Sequence, residues 1–384
     1  MRFPGFTDEW KTYSLSNFFD FKNGLNPEAN RFGQGIKFIS VSDILNNDYI
    51  DYDKIISSVT PIKKELDEYG VNRGDILFQR SSETLEDVGR ANVYIDDRIA
   101  LFGGFVIRGK KKSEYEPYFM RYALSAPINR KKIIVKGAGA QHFNIGQDGL
   151  SKVLMNIPDI DEQTKIGHLL RLIDERIATQ NKIINNLKKL KSSIIDRLYS
   201  EVKGEIYMYS DLFTVVTERN NKRLYNKVIA ASQEFGMVER ESLNLKVQFD
   251  EELINTYKII NSGDYVIHLR SFQGGFAFSR LQGICSPAYI ILRPNDLIEY
   301  SYFENYFTSS KFINSLRLVT YGIRDGRSIN VDEWLSMKVN LPSKDEQKRI
   351  IQTIQSIQYK VSNEKEILRS LHRQRLFLLQ ELFI

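Results

Sequence analysis

The chain repeats itself, and that repetition limits what it can fold into. Ile157-Pro158-Asp159-Ile160-Asp161-Glu162-Gln163 matches Leu341-Pro342-Ser343-Lys344-Asp345-Glu346-Gln347 at a displacement of 184. Tyr118-Phe119 matches Tyr302-Phe303 at the same displacement, and Phe105-Val106-Ile107-Arg108 resembles Ile290-Ile291-Leu292-Arg293 at 185. Gly74-Asp75 pairs with Gly263-Asp264 at 189, and Ser16-Asn17-Phe18-Phe19 resembles Ser210-Asp211-Leu212-Phe213 at 194. The order of matches never changes. The chain is therefore two copies of one unit, each a globular domain followed by a long helical stretch.

The helical stretches carry an apolar stripe with steps of four and three, the coiled-coil spacing. In the first copy the stripe runs Ile166, Leu170, Ile173, Ile177, Gln180, Ile184, Leu187, Lys191, Ile194, Leu198. Adding 184 gives Ile350, Ile354, Ile357, Val361, Glu364, Leu368, Leu371, Arg375, Leu378, Leu382. The polar exceptions fall at equivalent places, Gln180 with Glu364 and Lys191 with Arg375. Ser343 to Glu346 reads as a capping box, and Asp159 to Glu162 as its Asp variant. Apart from Gly167, neither interior holds Gly or Pro. Helices of about 40 residues would be about 60 Å long. A stripe of that length needs a partner, and the repeat is the simplest one. Antiparallel pairing of the two is the expectation; parallel pairing, pairing between molecules and burial of each stripe on its own domain stay open.

The remaining segments show short apolar runs broken by Gly, Asn and Asp, which read as strands. The fold class expected is α+β: globular domains over 1–155 and 205–340, and long helices over 156–204 and 341–384. Strand Asp75–Gln79 ends in Arg80-Ser81, and Asp264–Leu269 ends in Arg270-Ser271. Polar or glycine-rich loops follow, Ser82 to Arg90 in one and Phe272-Gln273-Gly274-Gly275 in the other. An arginine leaving a strand end suits phosphate or guanine contact, because its fork pairs bidentately with O6 and N7. A second pair of loops recurs before the last strand of each copy. One holds Lys136, Gln141, His142 and Asn144; the other holds Arg324, Arg327, Ser328 and Asn330. Their glycines permit close backbone approach, and Gln, Asn and Arg read base edges. The clusters Lys110-Lys111-Lys112, Arg130-Lys131-Lys132 and Asn221-Lys222-Arg223 could hold phosphates, although a run of charge is more often a solvated face. The candidate DNA contacts are thus Arg80, Ser81, Ser82, Arg90, Lys136, Gln141, His142 and Asn144 in the first copy. In the second they are Lys222, Arg223, Arg270, Ser271, Gln273, Arg324, Arg327, Ser328 and Asn330.

Other chemistries find little support. The one cysteine, Cys285, reads as a buried small hydrophobe, and the four histidines are too scattered for a metal site. No phosphate loop, Pro-Pro pair or Ser/His/Asp arrangement is present. The opening segment lacks the apolar core of a signal peptide, and no run approaches a membrane span. A reducing, cytoplasmic setting is expected. The net charge of +6 permits a nucleic-acid partner without requiring one.

With these features the chain resembles the specificity subunits of type I restriction-modification systems. The likeness rests on the opening Phe3-Pro4-Gly5-Phe6-Thr7-Asp8-Glu9-Trp10, the Gly-Asp-strand unit and the twice-used Pro-x-x-x-Glu-Gln helix start. It implies a non-catalytic subunit whose two domains each read half of a split double-stranded DNA site, with the helix pair as the ruler between them. It also implies adenine-methyltransferase subunits that bind S-adenosylmethionine, and translocating nuclease subunits that use ATP and Mg; no cofactor is expected on this chain. A stand-alone DNA-binding regulator and a coiled-coil protein scaffold are the competing readings.

Overall fold

The computed structural model describes residues 2–139, 141–232, 235–243, 251–268, 275–321 and 328–383. Two compact units emerge. One comprises residues 1–182 and 366–384, the other residues 183–365. The unit boundaries fall inside the two long helices, Ile160–Ser200 and Lys344–Glu381, so each helix gives one segment to each unit.

In the first unit an antiparallel four-stranded sheet has the order Phe19–Asn23, Val106–Lys111, Ile76–Gln79, Ala91–Val93. In the second unit the order is Phe213–Val216, Ile290–Pro294, Tyr265–Ile267, Phe276–Phe278. These are the same sheet, strand for strand. A two-stranded ribbon also recurs: Lys11 pairs with Ile157 in one unit and Glu205 with Leu341 in the other. The first unit adds a three-stranded sheet of Ser58–Val59, Phe32–Ile39 and Leu101–Phe102.

The Gly-Asp pair closes the turn before each central strand. Gly74 and Gly263 adopt φ of 92° and 97°, open to glycine at little cost. The aspartates then tie the turn to the sheet. Asp75 accepts from the backbone N–H of Asn72 (3.0 Å) and of Lys111 (2.9 Å). Asp264 accepts from Asn261 N–H (2.8 Å) and from Arg293 through Nε and Nη2, both 2.9 Å. Both carboxylates are buried, so these bonds offset their desolvation.

The Pro-x-x-x-Glu-Gln motif fixes each long helix to its domain. Gln163 donates to Pro158 O (2.9 Å) and accepts from Glu116 N–H (3.1 Å). Gln347 donates to Pro342 O and Leu297 O, both 3.0 Å, and accepts from Glu299 N–H (2.8 Å). The glutamates diverge. Glu162, fully buried, receives Arg2 (3.1 and 2.9 Å) and Trp10 Nε1 (3.0 Å). Glu346 instead pairs with Arg349 (2.8 and 2.6 Å). The caps themselves are Asp159, accepting from Glu162 N–H, and Ser343, accepting from Glu346 N–H. The expected reciprocal box is thus replaced on its return arm, because a guanidinium is the stronger partner for a carboxylate. Gly167 is required by close approach: a Cβ there would lie 2.3 Å from Glu116 Oε2.

All sixteen apolar stripe residues are buried or half-buried. In the first unit Ile166, Leu170, Ile173 and Ile177 share one core with Leu371, Leu378, Leu382 and Phe383. Trp10 packs on Phe383 and bonds Glu162, while Asp174 pairs with Arg375, so the segments run antiparallel. In the second unit the Glu205–Leu341 pairing lies beyond one helix end and before the other, and Lys191 donates to Gln358 (2.7 Å). Those segments are antiparallel too, with Ile195, Tyr199, Ile350 and Ile354 in one core.

Candidate nucleic-acid interface

Two polar loops far apart in sequence meet in the first unit. Strand Ile76–Gln79 is buried along its whole length and delivers Arg80 to the surface. Arg80 N–H donates to Phe105 O (2.9 Å), its carbonyl accepts from Ile145 N–H (3.0 Å), and Nη1 donates to Gly104 O (3.2 Å). The guanidinium is half-buried and keeps further donors. The chain then continues as Ser81–Ser82, which pairs antiparallel with Phe143–Asn144: Ser81 opposite Asn144, Ser82 opposite Phe143. Ser81 Oγ also donates to Asn144 Oδ1. Ala138 and Asn144 exchange backbone hydrogen bonds of 2.9 and 2.8 Å, which closes the second loop. Gln141, His142 and Asn144 are exposed beside half-buried Ser81 and Ser82. One polar face therefore gathers six of the eight first-copy candidates.

Arg90 and Lys136 are both exposed, and Arg90 O accepts from Gln79 N–H (2.7 Å). Arg90 pairs with Asp87 (2.6 Å), and Lys136 follows the helix Pro127–Ile134. Arg130, which the sequence gives only within a basic run, and Phe105, which it does not mark for the site, adjoin this face. Arg130 donates to the carbonyls of Glu86, Val88 and Gly89, each at 2.8 Å, and so clamps the loop that follows Ser82. Burial, with Arg90 adding repulsion, pushes its guanidinium down to about 10. In the sequence Arg130 was only one cation of a run; its role depends on a fold that brings it across 41 residues to Gly89. Phe105, 69% exposed, sits beside Arg80. A large apolar side chain left that open next to Gly103-Gly104 is the signal that could have marked it.

Two lysines of the Lys110–Lys112 run are engaged in structure. Lys111 donates to Tyr115 O (3.1 Å), and Lys112 pairs with Asp20 (3.3 Å). In the second unit Lys222 and Arg223 lie on an exposed turn held by Asn220, which donates to Tyr225 O (2.6 Å). Ser328 opens a short strand paired with Thr320–Tyr321. Asn330, a candidate base reader, is engaged within its own turn. Its Oδ1 accepts from Glu333 N–H (3.2 Å) and its Nδ2 donates to Glu333 Oε1 (2.8 Å), so it caps the helix Val331–Leu335. Arg270, Ser271, Gln273, Arg324 and Arg327 lie outside the described residues. Among the described residues no His, Cys, Asp and Glu cluster could hold a metal ion, and no helix is long and apolar enough to cross a membrane.

The profile of the type I restriction modification DNA specificity domain matches the chain twice, over residues 7–189 and 202–373. The chain belongs to this family. Its two matches coincide with the two copies of the repeat. Members recognise DNA and are specificity rather than catalytic subunits, and that is the role of this chain. A Methanocaldococcus jannaschii protein carrying the name of the type I restriction enzyme MjaX specificity subunit is 24% identical over 376 residues, covering 91% of this chain and 87% of its own. The Escherichia coli EcoKI specificity subunit is 24% identical over 195 residues, 49% of this chain and 41% of its own. Two solved specificity subunits share the fold. The S subunit from M. genitalium gives a TM-score of 0.53 at 15% identity, covering 98% of this chain and 96% of its own. The HsdS subunit from Thermoanaerobacter tengcongensis gives 0.54 at 13%, covering 97% and 95%.

Proposed function

We propose that this specificity subunit reads a split DNA site, one half with each unit, and docks adenine-methyltransferase subunits through which restriction subunits join. The observation that carries this reading is the repetition of one sheet, strand for strand, in both units. A protein with two copies of one reading device is suited to two half-sites, and linking two modest affinities multiplies them when both sites are engaged. In the first unit the reading face is Arg80, Ser81, Ser82, Gln141, His142 and Asn144: one guanidinium for guanine, amide and hydroxyl groups for other base edges. Lys136, Arg90, Lys222 and Arg223 contact phosphates, which adds affinity and salt dependence without sequence information. S-adenosylmethionine, ATP and Mg belong to the partner subunits, and the complex works in the cytoplasm. A methylating partner must extrude its adenine from the duplex, and it gains when another subunit has fixed the register.

Co-expression with a methyltransferase encoded beside this chain, followed by mapping of N6-methyladenine, tests the reading. Methylation at one split motif, lost without this chain, is the expected result. Methylation that is unchanged in its absence would overturn it.

A further inference from the structure

The first unit contains an open cleft of about 390 Å³ between its globular part and its segment of the Lys344–Glu381 helix. Four arginines line it: Arg90, Arg121, Arg130 and Arg375. Three carboxylates line or adjoin it, and two are already committed. Asp87 holds Arg90 (2.6 Å), and Asp174 is shared by Arg375 (2.5 Å) and Arg121 (3.5 Å). Glu86 lines the cleft with an exposed side chain. Arg130 is bonded to carbonyls, which leaves its charge without a carboxylate partner in that set. Arg121 reaches its shared carboxylate only at the limit of a hydrogen bond. The cleft thus carries more guanidinium than carboxylate in a partly desolvated place, where unbalanced charge is costly.

The second unit supplies an internal control. At the corresponding place, displaced by 184, Lys191, Asn305 and Gln358 replace Arg375, Arg121 and Asp174, and line a cleft of about 260 Å³. Its arginine, Arg280, is held bidentately by Glu304 at 2.6 and 2.7 Å. That cleft keeps one cation in excess too, Lys191, but its single guanidinium is already paired, so among the described residues it has no spare fork.

We propose that the arginine-lined cleft of the first unit binds one phosphate-type oxyanion per chain. Planar guanidinium forks match tetrahedral oxyanions, which favours this ligand over a cation or a neutral solute. The oxyanion comes either from solution or from the backbone of bound DNA, and only the second source rests on the DNA-recognition reading. Arg90 and Arg121 supply the donors through the N–H groups that their single ion-pair contacts leave over, while Arg130 and Arg375 hold the walls.

Pyrophosphate is titrated calorimetrically into the full chain at fixed ionic strength, and the salt dependence of duplex binding is measured separately. One site per chain, weakened about tenfold or more in Arg121→Gln and Arg90→Gln and unchanged in Arg280→Gln, establishes a site for free oxyanion. Arg121→Lys, which keeps the charge without the fork, guards against misfolding and falls between wild type and Arg121→Gln. Absence of pyrophosphate binding, with a duplex salt slope reduced by about one in Arg121→Gln, supports the proposal with a DNA phosphate as the ligand. Unchanged behaviour in both assays, or equal loss in Arg280→Gln, overturns it. The first assay uses no DNA, so its outcome is independent of whether the chain reads a split site.

Discussion

Arg375 Nε lies 2.5 Å from Asp174 Oδ1, joining the two helix segments of the first unit across their apolar seam. The other carboxylate oxygen accepts from the buried Tyr122 hydroxyl at 2.7 Å, so one side chain ties both helices to the domain. Subtracting 184 from Arg375 gives Lys191, and adding it to Asp174 gives Gln358, the pair bonded at 2.7 Å in the second unit. The same cross-helix position is thus ionic in one unit and neutral on its acceptor side in the other.

Their cost on removal should differ accordingly. Asp174→Ala leaves Arg375 and the Tyr122 hydroxyl without their acceptor, and a broken, largely buried pair costs about 3 kcal/mol. Gln358→Ala releases an exposed lysine contact and should cost less than about 1 kcal/mol. Urea unfolding of the two variants reads both. Equal losses would mean that the ionic bond adds nothing to the neutral one.

The conserved geometry of the two helix starts makes a second pair of predictions. Gln163→Ala strands Glu116 N–H and Pro158 O, and Gln347→Ala strands Glu299 N–H, Leu297 O and Pro342 O. Each should destabilise the protein by about 1–3 kcal/mol, the cost of unsatisfied buried polar groups. Substitution of the exposed neighbour Lys348 by Ala should stay within about 0.5 kcal/mol. Denaturant midpoints compare them directly.

The repeat made the architecture legible, because a seven-residue motif used twice also marks where each long helix begins. The stripe marks the apolar face of each helix, and in the structure Ile166 and Leu382 share one core with the domain. The direction of pairing was not legible, because a three-four spacing serves parallel and antiparallel helices alike. Side-chain roles at the site were hardest. Asn144 and Asn330 look equivalent in sequence, yet one faces Ser81 on an exposed strand and the other caps a helix. Which fate an Asn meets depends on the turn geometry around it, and local sequence constrains that weakly.

Cys285 gives a chemical prediction. Its side chain is fully buried on the strand Gly283–Cys285, and burial pushes its thiol up to about 12. The thiolate is the reactive form, so at pH 8 the native protein should resist iodoacetamide. Alkylation monitored by mass should become complete only in denaturant. Rapid native labelling would mean that this strand opens readily.

Variants of Arg80, Phe105 and Lys136 should separate base reading from phosphate holding. Arg80→Ala removes the fork suited to guanine and should cost about 1–3 kcal/mol for the cognate sequence, relaxing preference at one base of one half-site. Lys136→Ala should weaken binding to all sequences alike and lower the salt slope by about one. Phe105 is too exposed to support the core, so Phe105→Ala should leave the unfolding midpoint within about 0.5 kcal/mol of wild type. It should nonetheless weaken cognate binding, because its ring lies where Arg80 leaves the sheet and can cover a thymine methyl. Binding selections on randomised duplexes distinguish the three. If Arg80→Ala shifts affinity uniformly and keeps the selected motif, the guanidinium is a phosphate ligand, and base reading passes to Gln141, His142 and Asn144 on the neighbouring loop.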